Sequence, residues 1–155
     1  MGVPRYLMSK EFILLLIAAL ALGWLCFDGL ELMAIWWERD EYNHGPMIPL
    51  VAAYLLFQRR NLLANSLEPG SWLGVLLVLS AVGVWLLGEL SALYTLIQYA
   101  FFIGLFGLAF AWVGISGVRV IWAAVFYLIF MIPLPNFLYF NLSQELQLIS
   151  SALGV

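Results

Sequence analysis

The residues best placed to do chemistry are Tyr42, Asn43 and His44, which open the stretch Tyr42-Asn43-His44-Gly45-Pro46-Met47-Ile48-Pro49-Leu50 and include the only histidine of the chain. Pro46 and Pro49 favour a helix starting just after His44-Gly45, because the first turn of a helix needs few amide donors. The imidazole then stands in a sunken turn at a helix N-terminus, where the local dipole disfavours the charged ring and welcomes an anion. A neutral imidazole there can hydrogen-bond a substrate carbonyl or carboxylate, with Tyr42 and Asn43 beside it as further substrate-positioning candidates. The competing reading is structural: His44 caps the helix, or bonds Asn43 and the Trp36-Trp37 loop.

No catalytic set is complete around that turn. Cys26 is the single cysteine, far from His44 in sequence and inside an apolar run, where its expected role is that of a small buried hydrophobe. No Cys or His pair has metal-ligand spacing, no serine lies in a nucleophile elbow, and no glycine-rich phosphate loop occurs. The expectation is therefore no catalytic residue, no metal and no cofactor within this chain. Asp40-Glu41 could be read as acid and base, but the loop around them (Asp28, Glu31, Glu38) is acidic throughout, which fits solvated charges better.

These residues are embedded in an apolar chain. Of its 155 residues 65% are hydrophobic and 10% charged, whereas a soluble domain carries about 25% charged residues. The lipid bilayer must then be its solvent. A net charge of −3 with six scattered Lys and Arg excludes nucleic acid as a partner. No long polar linker divides the chain, so 1–155 reads as a single membrane domain. Arg5 and Lys10 followed by an apolar run look like a signal peptide, but Ala19-Leu20-Ala21 lies mid-run, where no cleavage site belongs, and the run reads as an uncleaved anchor.

The expected architecture is all-α: a polytopic helical membrane protein with apolar segments at about 12–27, 46–58, 72–88, 92–113 and 118–132, then a C-terminal amphipathic helix. The second segment is short, reaching only about 22 Å even when extended to Arg60. If all five cross, Arg5, Lys10, Arg59, Arg60 and Arg119 share one side, and the acidic loop 28–41 and Glu89 take the other. Because basic loops are retained in the cytoplasm, the N-terminus is expected inside and the His44 turn outside. Ala100, Gly104, Gly107 and Ala111 form a small-residue stripe suited to close helix packing. Pro133 and Pro135 end segment five, Asn136 suits a cap, and Leu138, Leu142, Leu146 and Ile149 then recur at helical spacing opposite Gln144, Gln147 and Ser151.

The order of these elements resembles the N-terminal part of the exosortases over nearly all of residues 36–155. The resemblance rests on Trp36-Trp37, Tyr42-Asn43-His44-Gly45, Ile48-Pro49-Leu50, Tyr54-Leu55, Gln58-Arg59-Arg60 and Leu62-Leu63. It continues through Ser71-Trp72-Leu73-Gly74, Trp85-Leu86-Leu87-Gly88, Ile132-Pro133-Leu134-Pro135 and Leu146-Gln147-Leu148-Ile149-Ser150-Ser151. It implies a multi-span enzyme of the bacterial inner membrane that recognises C-terminal sorting signals on exported proteins: a Pro-Glu-Pro motif, a membrane helix and a basic tail. By analogy with sortases, such an enzyme cuts the signal with a cysteine nucleophile and passes the protein to an acceptor, which an association with exopolysaccharide production suggests is exopolysaccharide-related. The family's catalytic Cys, in an Ala-Cys-Ser-Gly motif, and its Arg and His find no match here. The chain is accordingly expected to be an N-terminal part that precedes the active-site helices. A second reading, a non-enzymatic subunit of exopolysaccharide assembly or a small carrier, would call for polar residues in mid-span, and segments three to five carry almost none except Gln98.

Overall fold

A chain surrounded by hydrocarbon must satisfy its amides within each segment, and the regular structure found among the described residues is helical throughout. The computed structural model describes residues 10–133 and 135–154. Helices α1 (Lys10–Leu25) and α2 (Phe27–Trp36) are followed by α3 (Met47–Gln58), α4 (Arg60–Asn65), α5 (Trp72–Ser91) and α6 (Tyr94–Tyr127). A 3-10 turn (Leu128–Met131) and α7 (Asn136–Leu153) complete the chain.

α6 is broken at Gly114, whose φ of 68° and ψ of −173° lie outside helical space and in a region where side chains are rarely tolerated. Its two limbs, 94–113 and 115–127, run antiparallel. Phe106 and Phe110 of the first pack with Val118, Ile121 and Val125 of the second, while Tyr99, Phe101 and Phe102 lie against Met131 and Ile132. α5 runs antiparallel to the first limb, with Gly74 against Ala111 at one end and Gly88 against Ile97 at the other. The small-residue stripe is what permits this: a Cβ on Gly107 would come within 2.8 Å of the Val78 nitrogen and 3.0 Å of the Gly74 oxygen. Gly104, on the same limb, receives Leu22 of α1. α3 lies along the second limb, from Ile48 at Met131 and Ile132 to Arg59, whose guanidinium donates to the Val120 carbonyl at 2.8 Å.

These pairings sort the connections into two ends. One, the basic end, gathers Arg59, Arg60, Glu68, Ser116 and Arg119; the other, the acidic end, gathers Glu38, Asp40, Glu41, the His44 turn and Glu89. By length and composition α5 and the run Tyr94–Met131 can cross a membrane, and a third span exists if α1 and α2, bent by 70°, count as one. The 38-residue run would measure about 57 Å if straight, nearly twice the hydrocarbon thickness, so the break at Gly114 gives it the form of a hairpin.

The structure is thus the expected helical membrane protein, with two local corrections. Asp28 and Glu31 lie in α2, not in a loop, because Phe27 to Trp36 can continue helically once the chain bends at Cys26. At α7, Pro135 takes the cap position and Asn136 is the first helical residue. The side chains of Asn136 and Leu138 lie outside the described residues, as does Leu134. Leu142, Leu146 and Ile149 are exposed, and no other helix packs on α7 among the described residues.

Candidate functional site

The acidic end is held by a tryptophan. Trp37 follows α2 and sends its indole N–H to the carbonyl of Met131 at 3.0 Å, tying α2 to the 3-10 turn across the bundle. Trp37 packs against a buried cluster of Met33, Ile48, Met131 and Ile132, so the indole body replaces water while its polar edge is satisfied. Gly45 lies directly on that indole, and a Cβ there would collide with the ring. This close approach, rather than a special φ, is why the residue after His44 lacks a side chain.

Between Trp37 and α3 the backbone forms consecutive tight turns. The Tyr42 amide donates to the Arg39 carbonyl at 3.0 Å and the Gly45 amide to that of Tyr42 at 2.8 Å. The Met47 amide then donates to the His44 carbonyl at 3.0 Å and the Ile48 amide to that of Gly45 at 3.1 Å. The Tyr42 ring stands edge-on to Trp36 at 5.9 Å, and the Arg39 guanidinium covers the same indole at 4.0 Å.

The three sequence candidates therefore share one turn, and its details differ from expectation. His44 and Asn43 are exposed and Tyr42 is half-buried. Pro46 occupies the cap of α3, and no side chain caps it, so His44 does not. Among the described residues the His44 ring has no hydrogen-bond partner, neither Asn43 nor the tryptophans. The anion expectation also weakens. Pro46 and Pro49 have no amide proton, and the Met47 and Ile48 amides are engaged by turn carbonyls, so few donors remain for an anion. What the turn offers is a half-buried phenol beside an exposed amide and an exposed imidazole. Asp40 and Glu41 are exposed.

Cys26 is fully enclosed at the bend between α1 and α2. No cluster of His, Cys, Asp or Glu suited to a metal ion occurs among the described residues. At the basic end, Glu68 accepts from the Ser116 hydroxyl at 2.7 Å and from the Ser116 amide at 3.4 Å, which places a carboxylate on the N-terminus of the second limb of α6. Sequence reasoning missed this cap because the carboxylate and the amide it serves are 48 positions apart. The role of Trp37 was hidden in the same way, because the Met131 carbonyl it reaches is 94 positions away.

A family model described as transmembrane exosortase (Exosortase_EpsH) matches residues 36–155, and the chain belongs to that family. The match begins at Trp36 and takes in the whole turn that Trp37 holds, together with α3 to α7. No curated protein and no solved structure matches the chain.

Proposed function

We propose that this chain is the N-terminal membrane scaffold of an exosortase that processes C-terminal sorting signals of the Pro-Glu-Pro type on exported proteins, as a cysteine-type peptidase and transpeptidase. The observation that carries the reading is the family match over 36–155. The build of the acidic end supports it, since three residues with hydrogen-bonding side chains are presented on one rigid turn, pinned by the Trp37 to Met131 bond. The cell is bacterial, the membrane the inner one, and the N-terminus cytoplasmic; the basic and acidic ends support that orientation.

In this scheme the scaffold receives the signal's membrane helix along its apolar flanks, while Tyr42, Asn43 and His44 position the peptide just outside the bilayer. The nucleophile is not Cys26, whose thiol is enclosed and hydrogen-bonded to no base among the described residues. It belongs to the catalytic helices that the resemblance implies, and the acceptor is an exopolysaccharide-related nucleophile.

The test is co-expression of a tagged exported protein carrying such a signal with either the complete gene product or residues 1–155 alone. The complete product should shorten the tagged protein, and 1–155 alone should leave it intact. An unprocessed signal in the presence of abundant complete product would overturn the reading in favour of a non-enzymatic subunit.

A further inference from the structure

Gln98 is the one buried polar side chain among the described residues, 4% exposed in an otherwise apolar interior. Its Nε2 donates to the Gly29 carbonyl at 2.9 Å, which leaves Oε1 without a donor among the described residues. That oxygen is not sealed in protein, since Trp85 Nε1 is the enclosed polar side-chain atom found unpaired. Gln98 instead lines a cleft of about 170 Å³ between α2, the α5–α6 turn and the end of the 3-10 segment, walled by Leu32, Trp36, Tyr94, Thr95 and Pro133. Four residues into α6, it lies roughly 6 Å below the acidic end, within reach of a chain entering from that side.

The size and chemistry of this cleft select its occupant. Ligand pockets for whole small molecules run to about 300 Å³ or more, so this one suits a single side chain of a longer molecule. An extended polypeptide brings amide protons that cannot stay unpaired at the edge of hydrocarbon, and Gln98 Oε1 is an acceptor awaiting one. Trp36, Tyr94 and Pro133 give the flat apolar walls that hold a ring or aliphatic side chain. A lipid headgroup fits less well, because no cation lines the cleft to pair a phosphate; Arg39 is already stacked on Trp36. Trp36 also joins the cleft to the His44 turn, since its ring meets Tyr42.

We propose that this cleft is a docking subsite for one residue of an extended substrate polypeptide, with Gln98 Oε1 accepting a peptide N–H and Trp36 and Tyr94 clasping the side chain. The subsite rests on the reading of the chain as a sorting-signal processor. It is tested in cells with the complete gene product carrying a photo-crosslinking phenylalanine at Leu93 on the cleft, at Asn43 on the turn, or at the exposed Leu76 on α5. The probe is a tagged exported protein with its C-terminal sorting signal.

An adduct is expected at Leu93 and at Asn43 and not at Leu76. Gln98→Leu, and independently Thr95→Phe to fill the cleft, should reduce the Leu93 adduct by about fivefold or more, the effect of losing one hydrogen bond, with the Asn43 adduct unchanged. The persisting Asn43 adduct shows that the variants are folded. Adducts at Asn43 without one at Leu93, a Leu93 adduct indifferent to both variants, or a Leu93 adduct with lipid alone would overturn the subsite while leaving the functional reading in place. No adduct at any position would remove both.

Discussion

His44 commits its backbone and not its ring: the carbonyl accepts from Met47, while the imidazole is exposed and unpartnered among the described residues. A ring that supports no internal contact can be changed with little effect on the fold, because substitutions away from packed or bonded groups cost within about 0.5 kcal/mol. Its replacement therefore reports on the substrate. Glutamine can keep one hydrogen bond of the imidazole and alanine cannot, so His44→Ala should lower processing by roughly tenfold and His44→Gln by less, at equal membrane abundance. Wild-type rates for both would mean that the ring takes no part in processing, and equal abolition would point to proton transfer. Cys26 is the opposite case, enclosed at a bend and serving only packing. Cys26→Ala should leave processing intact at normal abundance, and the folded wild-type protein should resist a membrane-permeant maleimide. Loss of cleavage in that variant would make Cys26 a participant.

Between elements, the decisive contacts are made by absent side chains. Gly107 meets the backbone of Gly74 and Val78, whereas Gly83, also helical, has nothing within 4 Å of where a Cβ would stand. Gly107→Ala should therefore destabilise by about 1–3 kcal/mol through overpacking, and Gly83→Ala should be neutral or gain up to about 1 kcal/mol from helix propensity. Unfolding titrations in mild detergent measure both, and equal effects would refute the close crossing of α5 and α6. The stripe that makes this crossing was legible because its period is helical and its residues small. So were the apolar segments and the prolines that end the last one, since each follows from local chain chemistry. The turn geometry was not. The seat of Gly45 depends on Trp37, which reaches Met131 94 positions away, and the cleft at Gln98 depends on α2 continuing past Cys26 so that Trp36 faces the α5–α6 turn. Sequence marked Gln98 as the odd polar residue of its span, and only the packing supplied the Gly29 carbonyl that uses one end of its amide and frees the other.

At the scale of the molecule, the antiparallel helices separate charge by end. Arg59, Arg60 and Arg119 stand at one with the carboxylate Glu68, and Glu38, Asp40, Glu41 and Glu89 at the other with the arginine Arg39. Short loops rich in Lys and Arg are held in the cytoplasm during insertion, and acidic residues contribute little to the choice. The proposed orientation therefore rests on the charge pattern alone, and it requires that α3 crosses. It is only 12 residues long, about 18 Å by helical rise, but its far end carries two arginines whose long stems reach outward. Arg60 folds over Phe57 at 3.9 Å, and Arg59 reaches the Val120 carbonyl. Reporters fused after Glu41 and after Asn136 should thus be periplasmic, and one fused after Asn65 cytoplasmic. Moving the charges is the stricter test: Arg59→Gln with Arg60→Gln should weaken the cytoplasmic signal after Asn65 if these residues hold α3 across the membrane. A reporter at Asn65 on the same side as one at Glu41 would make α3 re-entrant and place Glu68, Ser116 and the Gly114 reversal on the side where the substrate arrives.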